Sequence, residues 1–188
     1  MRTLYLTDLD GTLLGRGARL SAFSRAGLER LYDAGVAVTA ATARSWSALD
    51  VLQGVRFRAP MILLGGARIY DAERRKILFE QTLPEQSAAA ALHRLRDAGL
   101  SPLIYTQNAR DEQKIYYEDG ADEALRGYVS QATSGGDNRF ARAERLEERF
   151  GEKLFYLTAR GEEGKLRPIV EALKEQGIYA HLYNMQWT

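Results

Sequence analysis

The chain reads as an α/β protein, with a parallel sheet in its first third and an α+β unit behind it. Two observations predict this. Three short apolar runs before residue 65 lack the polar alternation of a half-solvated sheet and are separated by segments of helical periodicity, as strands buried on both faces of a parallel sheet are. Beyond about residue 80, strand-like runs follow one another without an intervening helix, the order expected of an antiparallel sheet with its helices segregated.

Residues 2–6 are β-prone and end in the polar cluster Thr7-Asp8-Leu9-Asp10-Gly11-Thr12, as a buried strand opening into a loop does. Phe23, Ala26, Leu28, Leu31 and Ala34 then recur near helical spacing, with Ser21 or Ser24 as N-cap and Gly35 as the stop. Residues 36–40 form the second strand. Thr42-Ala43-Arg44-Ser45 leads into a helix expected to reach about Gln53, and residues 60–64 form the third strand. Residues 67–71 and 76–81 predict a hairpin whose tip, Ala72-Glu73-Arg74-Arg75, carries the charges. From Pro84 the pattern predicts helices over 85–98, 121–131, 143–150 and 162–176, and strands over 102–106, 113–117, 153–158 and 178–183. The boundary falls near residues 80–84, giving units of 1–82 and 83–188, with 134–138 as a surface loop in the second.

Composition narrows the functions available. Lys plus Arg number 26 against 25 Asp plus Glu, a net charge of +1, too balanced for a chain whose main partner is a nucleic acid or an anionic membrane. The absence of cysteine excludes disulfides, thiolate metal sites and a Cys nucleophile, and two histidines, His93 and His181, exclude a multi-histidine cluster. No run approaches the ~18 apolar residues of a membrane span. The N-terminus reaches Asp8 before any stretch long enough for a signal sequence. A cytoplasmic chain is the expectation.

The informative segment is Asp8-Leu9-Asp10-Gly11-Thr12-Leu13-Leu14. Two carboxylates two residues apart, at the carboxyl end of a buried strand, face the crevice in which open α/β sheets bind ligands. So close a pair favours either a bound divalent cation or a shared proton, and Gly11 permits a sharp turn just beyond it. The same letters also read as a hairpin, with Asp10-Gly11 as its two-residue turn. A calcium loop is poorly supported, because residues 15–20 supply none of the further oxygen ligands it needs.

Asp8-Leu9-Asp10-Gly11-Thr12 resembles the first motif, DxDGT, of the haloacid dehalogenase superfamily of magnesium-dependent phosphatases. Thr42-Ala43-Arg44 resembles its second motif, and Pro60 to Asp71 resembles the strand followed by Asn-Gly-Ala seen in the branch with a large α+β cap (type IIB, Cof-like). The resemblance implies a Rossmann-like core with an inserted cap and hydrolysis of a small phosphorylated metabolite such as a sugar phosphate. It implies Asp8 as nucleophile, forming an aspartyl-phosphate, and Asp10 as general acid and base, with a pKa raised by crowding. Thr42 would donate to a phosphoryl oxygen, as would backbone N–H groups around Leu9, Gly11 and Thr12. Mg²⁺ would be held by Asp8 and by the Asp10 backbone carbonyl. Arg44, following the Thr42 loop, is either a substrate contact or a structural ion pair.

Two departures stand out. Ala43 and Gly65 replace the usual Gly and Asn. The third-motif lysine and fourth-motif acidic pair have no counterpart: Lys76, Lys114, Lys153, Lys165 and Lys174 lack the expected context, and Asp50, Asp71 and Asp137 are poorly placed. The sequence ends about where the chain would return from cap to core, so a truncated core, with weak metal binding, is expected. Leu4 to Leu6 would then lie on an open apolar edge suited to self-association. A catalytically silent fragment that binds phosphate or a partner, and a phosphomutase on the same scaffold, are the competing functional readings.

Other signals are discounted. Gly161 to Leu166 lacks phosphate-loop spacing, and Gly15-Arg16-Gly17 lacks the third glycine of a dinucleotide fingerprint. Arg139, Arg142, Arg145 and Arg149, interleaved with Glu144, Glu147 and Glu148, read as a solvated helix face. His93 reads as a surface residue and His181 as alternating with Tyr179 and Tyr183 on a strand. Tyr105, Gln107, Tyr116 and Tyr117 either roof a substrate or fill the cap sheet.

Overall fold

The computed structural model describes residues 3–110 and 112–183. The chain divides into two compact units, Met1–Gln81 and Thr82–Thr188. No helix among the described residues is long and apolar enough to cross a membrane.

In the first unit, β1 (Leu4–Thr7) runs parallel to β2 (Ala37–Ala40), in register from Leu4↔Ala37 to Thr7↔Ala40. The crossover is α1 (Ala22–Asp33), where the Ser21 hydroxyl accepts from the Ser24 amide at 3.0 Å. This satisfies one of the N–H groups that a helix start leaves without a partner. Beyond β2, a single parallel bridge, Ala41↔Ile62, reaches β3 (Met61–Leu63). From there β3, β4 (Arg68–Asp71) and β5 (Lys76–Glu80) form an antiparallel meander. The hairpin expected after the third strand is therefore present, and it extends the sheet antiparallel. Arg68 is buried on β4 and forms an ion pair with Glu80, opposite it on β5. A guanidinium out of water requires a charged acceptor of this kind.

In the second unit, the strand order is β8-β7-β6-β9, with β6 (Pro102–Gln107) at the centre and antiparallel to both β7 (Gln113–Glu118) and β9 (Lys153–Ala159). β8 (Phe140–Ala143) is parallel to β7, with α3 (Glu123–Ser134) as the connection, so the sheet is mixed where sequence alone predicts antiparallel. On α2 (Glu85–Asp97), Ala88, Ala91, Leu92 and Leu95 are buried at helical spacing. Ala88 and Leu92 pack with Ile104 and Leu154, and Ala91 and Leu95 with Ile169 and Leu173 of α4 (Glu163–Glu175). Leu103, Tyr105 and Ile115 form a separate cluster with Leu125 and Val129 of α3. Adjacent residues of one strand thus serve opposite faces of the sheet.

Four sequence expectations are corrected. The helix expected to reach Gln53 is two short 3₁₀ turns, Trp46–Ala48 and Asp50–Leu52. Side chains take carbonyls there: Arg44 Nη1 donates to Ala48 O at 3.1 Å and Arg25 Nη1 to Gln53 O at 2.6 Å. The helix expected over 143–150 is instead the end of β8 followed by a 3₁₀ turn, Leu146–Arg149, whose first amide donates to the Glu118 carboxylate at 2.9 Å. The arginines there serve individual partners: Arg139 pairs with Asp137 and Arg142 with Asp119. Residues 178–183 are not a strand; Ile178 donates its amide to Leu173 O and packs beside α2 and α4. Finally, α1 forms, but of its apolar stripe Leu28 is buried while Phe23 and Leu31 are exposed. Arg2 and the terminal Trp187-Thr188 lie outside the described residues.

The burial pattern predicts a contrast between two apolar residues. Leu92→Ala, at 0% exposure, should lower the stability of the second unit by about 2–5 kcal/mol. Phe23→Ala, at 82% exposure, should change that of the first by no more than ~0.5 kcal/mol. Urea unfolding followed by far-UV circular dichroism reads both.

Candidate active site

The carboxyl ends of β1 and β2 finish side by side. Thr7 pairs with Ala40, and the Ala41 amide donates to Thr7 O at 2.8 Å, so Asp8 leaves β1 one residue beyond that rung and Thr42 leaves β2 two residues beyond it. Leu9 is 0% exposed, whereas Asp8 and Asp10 are exposed on either side of it. An apolar side chain therefore anchors the loop in the core and holds its two acidic neighbours outward. The loop closes on itself: Leu14 N–H donates to Leu9 O at 2.8 Å and Thr12 N–H to Leu9 O at 3.3 Å, with Gly11 at φ +76°. That left-handed conformation is where glycine is favoured. The partner of β1 is β2, which removes the reading of Asp10-Gly11 as the tip of a hairpin between residues 4–6 and 12–14.

Thr42 is buried, and its loop is clamped to the exit of β3 by three backbone bonds. Thr42 N–H donates to Ile62 O at 2.9 Å, Leu64 N–H to Arg44 O at 3.1 Å and Gly65 N–H to Thr42 O at 3.1 Å. The Thr42 hydroxyl oxygen accepts from Arg44 N–H at 3.2 Å. To make these contacts the chain turns through three left-handed residues, Leu64 (φ 54°), Gly65 (φ 63°) and Gly66 (φ 103°). Gly65 stands where the resemblance leads one to expect Asn, and both residue types tolerate this conformation. Leu64 does not share that tolerance and sits there at a cost of order 1–3 kcal/mol. Sequence reasoning did not single it out; the Gly65-Gly66 pair directly after an apolar strand is the signal that could have done so.

In this structure Arg44 forms an ion pair with Asp10. Nε donates to Asp10 Oδ2 at 2.8 Å and Nη2 to Asp10 Oδ1 at 2.7 Å, a two-pronged fork on the carboxylate. This corrects the expected electrostatics. The hydrogen bonds from Arg44, and then its charge, hold the Asp10 carboxyl below its ordinary value despite the opposing effect of partial burial. Like-charge crowding would have raised it. Asp8 turns one oxygen back onto its own loop, where Oδ1 accepts from Leu9 N–H at 2.7 Å. The Leu9 amide, expected to face a phosphoryl group, is thus directed at Asp8.

No cluster of three or more His, Cys, Asp or Glu side chains able to hold a metal is present among the described residues. Of the two donors that the resemblance implies, the Asp8 carboxylate and the Asp10 backbone oxygen, the first is exposed just beyond β1. Such a pair fits a hard divalent ion that binds through one or two carboxylates and completes its shell with water and phosphoryl oxygens, and it does not fit an ion needing an all-protein cage.

A family model described as haloacid dehalogenase-like hydrolase matches residues 5–187. The chain belongs to that family. It is similar to the 5-amino-6-(5-phospho-D-ribitylamino)uracil phosphatase YwtE of Bacillus subtilis, with 34% identity over 60% of this chain and 37% of the relative. Among solved structures it resembles the phosphatase BT1666 of Bacteroides thetaiotaomicron, with a TM-score of 0.74 and 19% identity over 92% of this chain and 61% of the other. It also resembles the subclass IIB sugar phosphatase BT4131, with a TM-score of 0.70 and 18% identity over 93% of this chain and 64% of the other. The chain thus spans under two fifths of the YwtE relative and under two thirds of both structures.

The Arg44 fork makes a titration prediction. A carboxylate with a depressed folded pKa contributes stability above its unfolded pKa and loses it as pH falls through the folded value. In Arg44→Gln the midpoint of the Asp10 carboxyl carbon, followed by NMR, should rise toward the ordinary carboxylate range, and the acid-side loss of stability should weaken. An unmoved midpoint would show that Arg44 does not set it.

Proposed function

We propose that this haloacid dehalogenase-like chain carries the nucleophile-bearing part of a Mg²⁺-dependent phosphomonoesterase that acts, in the cytosol, on a small phosphorylated metabolite such as a sugar phosphate. The observation that carries the reading is that Asp8 and Thr42 follow the paired carboxyl ends of β1 and β2, with Asp10 two residues on from Asp8. The similarity to YwtE and to a sugar phosphatase supports the substrate class.

In this reading an Asp8 oxygen attacks phosphorus, the bond from phosphorus to the ester oxygen breaks, and Asp10, once released from Arg44 and protonated from solvent, gives the leaving oxygen that proton. Asp10 then takes a proton from the water that attacks phosphorus in the aspartyl-phosphate, releasing inorganic phosphate and the Asp8 carboxylate. Thr42 donates its hydroxyl hydrogen to a phosphoryl oxygen. Leu9, Gly11 and Thr12 present the loop's backbone to the same group once the Leu9 amide leaves Asp8 and the Thr12 amide leaves Leu9 O. Mg²⁺, held by Asp8 and the Asp10 backbone oxygen, would supply positive charge against the repulsion between carboxylate and phosphate dianion.

A specific observation favours a second reading, a silent unit that binds phosphate or a partner without turnover: no third acidic side chain joins Asp8 and Asp10 among the described residues. A phosphomutase would differ only in what accepts the phosphoryl group. The open edge of β1, with Leu4, Tyr5 and Leu6 each more than half exposed, supports self-association as well.

Turnover of p-nitrophenyl phosphate should require Mg²⁺, stop with EDTA and fall by roughly 10³-fold or more in Asp8→Asn. Activity that persists in Asp8→Asn defeats the phosphatase reading, and a parent chain that binds phosphate without turnover selects the second. Sedimentation velocity should show concentration-dependent association that Leu6→Lys suppresses; a monomer at all concentrations would count against self-association.

A further inference from the structure

Asp10 offers no unengaged carboxylate oxygen: both accept from Arg44, at 2.8 and 2.7 Å. A group that exchanges a proton with a leaving oxygen or a water must first be released from such a fork. The two groups differ in how firmly they are placed. Arg44 is tied to the Thr42 loop by its own amide and carbonyl, and its Nη1 is anchored on Ala48 O. The Asp10 side chain is 53% exposed and the Arg44 side chain 23%, so the pair borders solvent and an anion can reach it. The edge of Arg44 turned to Asp10, Nε and Nη2, is the edge that binds either a carboxylate or a phosphate in two-pronged fashion. A phosphate dianion carries more charge than the carboxylate it would replace.

We propose that Arg44 is an exchange residue: the fork it places on Asp10 in this structure transfers to the phosphoryl group of an arriving substrate, so that capture of phosphate and release of Asp10 are one event. The inference rests on the phosphatase reading for its purpose but on the Arg44–Asp10 geometry for its content. It makes Arg44 a substrate contact and Asp10 its competitor in the free protein. The Arg44 backbone is already held beside Thr42, so its side chain is the part that would move. Since binding free energies are reciprocal, phosphate must weaken the Arg44–Asp10 pair by the factor by which the pair weakens phosphate.

Isothermal titration of inorganic phosphate into the full chain, without Mg²⁺ and then with it, tests this through a double-mutant cycle. Asp10→Asn should tighten phosphate binding by about fivefold or more, and Arg44→Ala should weaken it. In Arg44→Ala the gain from Asp10→Asn should vanish, and in Arg44→Lys, which keeps the charge but not the fork, it should shrink. A gain of equal size with and without Arg44 would mean that only a nearby negative charge had been removed, and would overturn the exchange. So would the absence of any gain, or phosphate binding by none of the variants. Asp10→Ala repeats the cycle should Asp10→Asn fold poorly. Turnover separates the two claims. A parent that hydrolyses p-nitrophenyl phosphate while the cycle is additive keeps the phosphatase reading and loses the exchange. A non-additive cycle in a chain without turnover does the reverse.

Discussion

The candidate site depends on the register between β1 and β2. Parallel pairing sets Thr7 opposite Ala40, and the Ala41 amide extends the ladder one rung further, to Thr7 O. Side chains alternate across a strand, so a slip of one residue would send Asp8 or Thr42 to the other face. The register is held from below by burial. Leu9 and Leu14 lock the loop after β1 into the core, and Thr39 and Ala40 are buried at the end of β2. The acidic loop is therefore positioned by apolar residues that take no part in chemistry, and its polar side chains are left to face outward.

Charge is then distributed among few groups. In the first unit two carboxylates emerge within three residues, and the structure answers one with a guanidinium and the other with a backbone amide. The same economy is seen at Arg68 and Glu80 in the β4–β5 hairpin, where the arginine is fully covered. Removing one partner of so buried a pair is typically far more damaging than replacing both, because the survivor remains charged and out of water. At Asp10 the carboxylate side of the pair is half in solvent, so breaking it leaves neither charge stranded out of water. The contrast separates a structural arginine from one available for function within the same small unit.

The second unit uses polar groups to join its own parts. Arg96 on α2 reaches Glu118 at the end of β7 and Glu147 in the turn after β8, and the resulting bonds favour its charged form. Glu118 also receives the Leu146 amide, so one carboxylate holds both a helix and a turn against the sheet. Glu152 accepts from Thr106 and from Tyr116 on the strands beside it, and burial and the neighbouring carboxylate raise the Tyr116 hydroxyl. Tyr105 stacks on Tyr156 at 4.3 Å and belongs to the cluster beneath α3. Tyr105 and Tyr116 are thus committed to packing, one on each face of the sheet.

The sequence alone determined the elements whose signal is local. Helical periodicity placed α1, α2 and α4; apolar runs placed β1 to β3; and Asp8, Asp10 and Thr42 were legible because polar residues at close spacing directly follow apolar runs. It did not reveal β8, because Arg139 and Arg142 interrupt the apolar pattern, and a strand that short exists through its pairing with β7. Nor did it reveal the 3₁₀ turns after Arg44, where distant side chains take the carbonyls that a helix would have used. The partner of Arg44 was likewise undecided. An arginine two residues past a loop threonine has several acceptors within reach of its long side chain, and only the pairing of β1 with β2, 34 positions apart at Asp10 and Arg44, brings one of them to its fork. Local chemistry is written along the chain, whereas charge pairing between remote segments is set by the fold that brings them together.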